Sequence, residues 1–154
     1  MDKAKQTRDG RLNAYDSLDA RKTALVVVDM QNYFVADGMP ACAPEARTIT
    51  CKVLSEDKIA IKYRYSVFIP YPSELDDLLR THGIHTLLVT GVATSTCCES
   101  TARDAAMCGY RTIMVSDGNA DQTDALHNHT LGKFLATFGD VQAIDDLLAT
   151  LGSA

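Results

Sequence analysis

A chain of 154 residues with 46% hydrophobic content has the size and apolar fraction of one globular domain, which excludes disorder and removes any need for metal or disulfide staples. Its 15 Lys and Arg against 20 Asp and Glu give a formal charge of -5 without a basic cluster; this argues against nucleic acid and anionic membrane as partners and leaves small molecules. The first twenty residues hold no apolar run, and no stretch approaches the roughly 20 apolar residues that cross a bilayer, so neither a signal peptide nor a membrane segment is expected.

In chain order, residues 1–22 read as a loose or partly helical lead-in and residues 23–151 as the domain. Ala24-Leu25-Val26-Val27-Val28, closed by Asp29, predicts a strand buried on both faces. Lys58-Ile59-Ala60-Ile61-Lys62 predicts a second strand. Pro72-Ser73 opens a helix that runs to about Gly83, with Ser73 and Asp76 at capping-box spacing and Leu75, Leu78 and Leu79 on one face. A strand over 86–90 leads into Gly91, and a helix over 97–108 stops at Gly109. A strand over 110–115, a helix over 123–136, a short strand over 141–144 and a helix over 145–151 complete the chain. Such alternation predicts an α/β fold, a single three-layer domain with a mainly parallel sheet. Ligands of such sheets bind beyond the carboxyl ends of the strands. Asp29, Lys62 and the Gly91-to-Cys98 turn all lie at such ends.

The five cysteines are Cys42, Cys51, Cys97, Cys98 and Cys108, an odd number with no CxxC pair. That pattern points away from a disulfide framework or zinc cluster and toward a reducing cytoplasm. Cys97 follows the small-residue turn Gly91-Val92-Ala93-Thr94-Ser95-Thr96, where helix N–H groups and the helix dipole favour thiolate. The competing role is that of a small buried hydrophobe, the commoner fate of a cysteine. Cys98 points about 100° away around the helix and is assigned to packing. Asp29 is either a strand-end cap or a carboxylate able to take the thiol proton. Lys62 is either a solvated charge or a fixed cation that holds the carboxylate and favours thiolate. Together the three make a nucleophile, base and cation set.

Three segments carry a resemblance. ALVVVDMQNYF at 24–34, the lysine segment KYRYSVF at 62–68, and LLVTGVATSTCCESTARDAAMCGYRTIMVSD at 87–117 resemble the isochorismatase-like cysteine hydrolases, and Phe138-Gly139-Asp140-Val141 is similar to their last strand entry. The resemblance implies an isochorismatase-like, Rossmann-like fold and a catalytic triad of Asp29, Lys62 and Cys97. It also implies a cis peptide at Val92-Ala93, an oxyanion hole from the N–H groups of Ala93 and Cys97, and a homo-oligomer. The cysteine implies attack on an amide or ureido C–N bond of a small molecule, since members that cleave vinyl ethers generally lack it. The nicotinamidase branch adds a metal held by Asp and His between the aspartate and the lysine. No histidine lies between Asp29 and Lys62 here, so no metal and no cofactor are expected. Gln31, Asn32, Tyr65 and Phe68 are the nearest candidates for substrate binding. His127 and His129 diverge by about 200° on a helix and are read as surface residues, while His82 and His85 flank a loop.

The resemblance also implies a full helix and a strand between the aspartate and lysine segments. Only residues 31–57 lie there, including Pro40, Pro44 and a short stretch at 46–52, so the sheet is expected to lack one strand and one helix. Two alternatives follow. Shortening displaces Lys62 and leaves a non-enzymatic interaction protein, or the chain hydrolyses a vinyl ether without using the thiol.

Overall fold

The apolar runs of the sequence pair side by side. Thr86–Val92 forms β2, buried at every residue. It lies between β1 (Thr23–Val28) and β3 (Arg111–Ala120), with β4 (Asp140–Gln142) outside β3. All three pairings are parallel. The computed structural model describes residues 13–15, 17–39, 43 and 56–151. The first twelve residues, Pro40, Pro44, Cys42, Cys51 and the stretch at 46–52 lie outside the described residues.

Among the described residues five α-helices accompany the sheet: α1 (Asn32–Val35), α2 (Glu74–Thr81), α3 (Glu99–Met107), α4 (Asp124–Thr137) and α5 (Ile144–Leu151). Against one face, Leu75 and Leu79 of α2, Ala102 and Ala105 of α3, and Leu131 and Phe134 of α4 pack on Leu87, Val89 and Met114. Against the other, Leu147 of α5 and Leu18 pack on Leu88, Ile113 and Val115. The result is a three-layer α/β domain, and each large apolar side chain buried in either layer contributes about 1.5–3 kcal/mol.

The helix signals act as expected. The Ser73 hydroxyl accepts from the Asp76 N–H, and that of Thr123 from the Leu126 N–H. Asp76 does not complete a reciprocal capping box; its carboxylate turns inward to accept from Arg80 and from the Tyr110 hydroxyl, each at 2.8 Å. Gly109 leaves α3 at φ +93.

Four expectations are corrected. β1 is not buried on both faces, because Leu25 and Val27 are 58% and 37% exposed. Among the described residues β1 pairs with β2 alone, and α5 covers β2 and β3 rather than β1. Residues 58–62 form no strand: Ile59 and Ile61 face solvent and no ladder holds them. β3 continues to Ala120 rather than stopping at Val115, since its register against β2 shifts between Val89 and Gly91. Asn119 fills that irregularity, its Nδ2 donating to the carbonyls of Val89 and Val115 at 2.9 and 2.7 Å.

The fourth correction concerns the lead-in. Its helical alternative is met by the 3-10 turn Ala20–Lys22, but the described residues are tied down rather than loose. The fully buried Asp140 carboxylate accepts the Ala14 N–H at 2.8 Å, Arg111 stacks over the Tyr15 ring, and Leu18 is 1% exposed. The packed domain therefore starts before residue 23.

Candidate active site

The parallel pairing of β1 with β2 sets Val28 opposite Gly91, so the residues after both strands emerge together. Gly91 makes this approach possible. Its φ is +121, and a Cβ there would lie 2.0 Å from the Val28 carbonyl oxygen. Asp29 then turns sharply at φ +51, a left-handed conformation that Asp tolerates better than most side chains. Its carbonyl accepts the Gln31 N–H at 2.8 Å. The Val92-Ala93 peptide is cis.

After Ala93 the chain enters a π-type turn, Thr94–Cys98, which runs into α3. The Ala93 carbonyl accepts the N–H groups of Thr96 and Cys98, both at 3.2 Å, passing over that of Cys97. Cys97 is 7% exposed, at the surface of the main core, whereas Cys98 is fully buried among apolar neighbours. The division of labour between the adjacent cysteines thus follows from the turn.

Lys62 arrives from an irregular segment rather than from a strand end. Its Nζ lies 2.6 Å from Asp29 Oδ2 and 3.6 Å from Cys97 Sγ, and it also donates to the Arg64 carbonyl at 3.2 Å. The Lys62 and Asp29 side chains are 17% and 10% exposed. The shortened connection therefore still brings all three side chains together. Nearby Thr101 accepts the Val67 N–H through its hydroxyl, and Phe68 packs 5.9 Å from the Tyr110 ring, so the lysine segment is pinned to α3 and the core.

The electrostatics reverse the expected thiolate. Burial, followed by hydrogen bonding to Asp29 and its charge, pushes the Cys97 thiol up to about 11, and Lys62 only partly offsets this. A thiol at about 11 is mainly protonated at neutral pH. Burial opposes the Lys62 charge, but Asp29 and Cys97 outweigh it and raise its pKa. Burial, followed by the charges of Cys97, Asp29 and Asp121, holds the Cys98 thiol well above its usual value, which suits an inert packing role.

Gln31, Asn32 and Tyr65 are exposed around the site. Phe68 is corrected: at 1% exposure it is a core residue and lines no opening. A groove of about 480 Å³ is lined by Tyr63, Arg64, Ile69 and Pro70, which follow Lys62 in the chain. His127 is corrected as well. It is half-buried, with Nδ1 2.9 Å from the hydroxyl of the fully buried Thr94, while His129 is exposed. Asp121 was missed. Its buried carboxylate accepts the Ser95 N–H at 2.6 Å and the Gln122 N–H at 2.8 Å. Asp121 follows β3 as Asp29 follows β1, so the same strand-end reasoning would have found it had β3 been given its full length.

The fold is thus a parallel α/β domain with an aspartate and a cysteine following neighbouring strands and a lysine brought to them from an irregular segment. The chain belongs to the isochorismatase family: the isochorismatase domain matches residues 43–146, a stretch that holds Lys62 and Cys97 and begins after Asp29. It is 37% identical over 99 residues to the ureidoacrylate amidohydrolase RutB of Serratia proteamaculans, covering 60% of this chain and 38% of that protein. It is 32% identical over 100 residues to nicotinamidase 3 of Arabidopsis thaliana, covering 65% of this chain and 50% of that protein. The chain thus spans half or less of the length of these relatives. Among solved structures, an isochorismatase-like hydrolase from Alkaliphilus metalliredigens superposes with a TM-score of 0.77 at 25% identity, covering 83% of this chain and 98% of that one. A cysteine hydrolase from Pseudomonas syringae shares the fold at a TM-score of 0.82 and 20% identity, over 93% and 98% of the two chains. No described helix is long and apolar enough to cross a membrane.

Proposed function

We propose that this chain is an amidohydrolase that cleaves an amide or ureido C–N bond of a small molecule through a Cys97 acyl-enzyme, with Asp29 as proton acceptor and Lys62 as the fixed cation. The observation that carries this reading is the placement of Lys62 Nζ 2.6 Å from Asp29 Oδ2 and 3.6 Å from Cys97 Sγ. In the first step the Cys97 proton passes to Asp29 as the sulfur attacks the carbonyl carbon, forming the C–S bond. Coupling transfer to attack suits a thiol that rests protonated, because free thiolate is scarce at neutral pH.

The oxyanion is held by the N–H groups of Ala93 and Cys97, the latter passed over by the Ala93 carbonyl. Collapse breaks the C–N bond, and the proton on Asp29 leaves with the amine. Water, deprotonated by Asp29, then breaks the C–S bond, releasing the acid and restoring the thiol. Lys62 holds the Asp29 carboxylate in place between steps and bridges it to the sulfur. In this reading Gln31, Asn32 and Tyr65, which are exposed and follow Asp29 and Lys62 closely in the chain, meet the substrate, together with Tyr63 and Arg64.

Ureidoacrylate, from the name of one relative, and simple primary amides are the first compounds to assay, with ammonia release as the readout. Turnover by the native chain and its loss in Cys97→Ala are expected, while Cys98→Ala keeps it. Activity that survives Cys97→Ala sinks the mechanism, and a folded native chain inert toward both classes sinks the reading.

A further inference from the structure

Two groups outside the triad hold the turn that presents Cys97. His127 stands in the first turns of α4, four residues after the Thr123 cap, so the helix fixes its backbone. From there Nδ1 reaches the Thr94 hydroxyl at 2.9 Å. Thr94 is the first residue of the π-type turn and is fully buried, so its hydroxyl has no access to bulk water. One residue on, the Ser95 N–H is held by the Asp121 carboxylate, itself 4% exposed. Successive residues of the turn are therefore gripped by the end of β3 and by α4, while Cys97, two residues further on, makes no such contact of its own with either element.

The geometry asks for this support. A π-type turn closes its hydrogen bonds one residue later than an α-helix and is less stable alone. Rotating it slightly would carry Sγ away from Asp29 and Lys62, and geometric errors of about 1 Å cost catalysis heavily. We infer that His127 is a positioning residue: through its Nδ1 bond to Thr94, with Asp121 as the second anchor, it holds the Cys97 turn in register with Asp29 and Lys62. This rests on Cys97 being the reactive thiol, and the test below uses no substrate, so its failure is separate from that of the proposed reaction.

The probe is iodoacetamide, with the labelling rate of each cysteine followed by peptide mass spectrometry between about pH 7 and pH 10. The groups facing Cys97 are Asp29 from the end of β1, Lys62 from the segment before α2, and Cys98 beside it in the turn. In the native chain the Cys97 rate is expected to climb through that whole range without levelling, as a thiol at about 11 requires. His127→Ala releases the turn, loosens the thiol from Asp29 and moves the levelling-off down from about 11 toward 9, partway because burial persists, while Cys98 stays unlabelled. His127→Asn places an amide nitrogen where Nδ1 stood and restores the native profile; His127→Gln extends past it and does not. Thr94→Val, similar in volume but lacking the hydroxyl, behaves like His127→Ala and decides the matter should His127→Ala open the whole fold. A native profile in Thr94→Val overturns the inference, as does equal disturbance by His127→Asn and His127→Ala.

Discussion

Replacing Asp29 by Asn separates the two things its carboxylate does to Cys97. The charge and hydrogen bond of Asp29 help push the thiol up to about 11, yet the same carboxylate is the proposed acceptor of its proton. Burial is the largest contributor to the raised value and is unchanged by the substitution, while Lys62 continues to favour thiolate. A partial return toward 9 is therefore expected, and a fall of about one pH unit raises the thiolate fraction at neutral pH about tenfold. The intrinsic nucleophilicity of sulfur falls with its pKa, by about threefold over that interval for a Brønsted slope near 0.5. The net gain in alkylation rate at neutral pH is thus about threefold, and the pH at which the rate levels off is the more sensitive readout. Turnover should move the other way, falling by about 10²–10⁴ as the general base is lost. A Cys97 profile unchanged or shifted upward in Asp29→Asn would refute the assignment of the raised value to this carboxylate. Retained turnover would refute its role as base.

Two further predictions concern the scaffold. Leu18→Ala, which empties a fully buried position against Leu88, Ile113 and Leu147, should cost about 3 kcal/mol in urea unfolding, and a loss within about 0.5 kcal/mol would mean that the lead-in is not part of the core. Burial raises the Asp76 pKa, but the bonds from Arg80 and Tyr110 outweigh it and leave the folded value below 3.8. The stability this confers is complete above about 3.8 and drains away as pH falls through the lower folded value, so Asp76→Asn should flatten the acid limb of the thermal-melt profile. An acid limb identical to the native one would exclude that linkage.

The parallel sheet, the order of strands and helices apart from the strand expected at 58–62, the cap at Ser73, and the prominence of Asp29 and Cys97 were legible in the sequence. They follow from local rules: β-branched runs, capping spacings, and the tendency of parallel strands to deliver ligands at their carboxyl ends. Which carboxylates sit at those ends was only half legible, because the register shift of β3 carries it past Asp117 to Asp121, and a shift of register is decided by the neighbouring strand. The same applies to exposure: Leu25 and Val27 read as core until the sheet leaves one face of β1 uncovered, and Phe68 reads as pocket until it packs against Tyr110.

The sequence by itself singled out Asp29, Lys62 and Cys97, which the fold brings together, and assigned Cys98 to packing, where its full burial leaves it. Only the tertiary structure decided the protonation of Cys97. Local reasoning from a helix start predicts thiolate, but burial and an approaching carboxylate are non-local, outweigh the opposing Lys62 charge and push the thiol up to about 11. Likewise no local signal shows whether a shortened connection can bring Lys62 to Asp29. That rests on how an irregular segment is pinned to α3 and the core, and it leaves the two charges 2.6 Å apart.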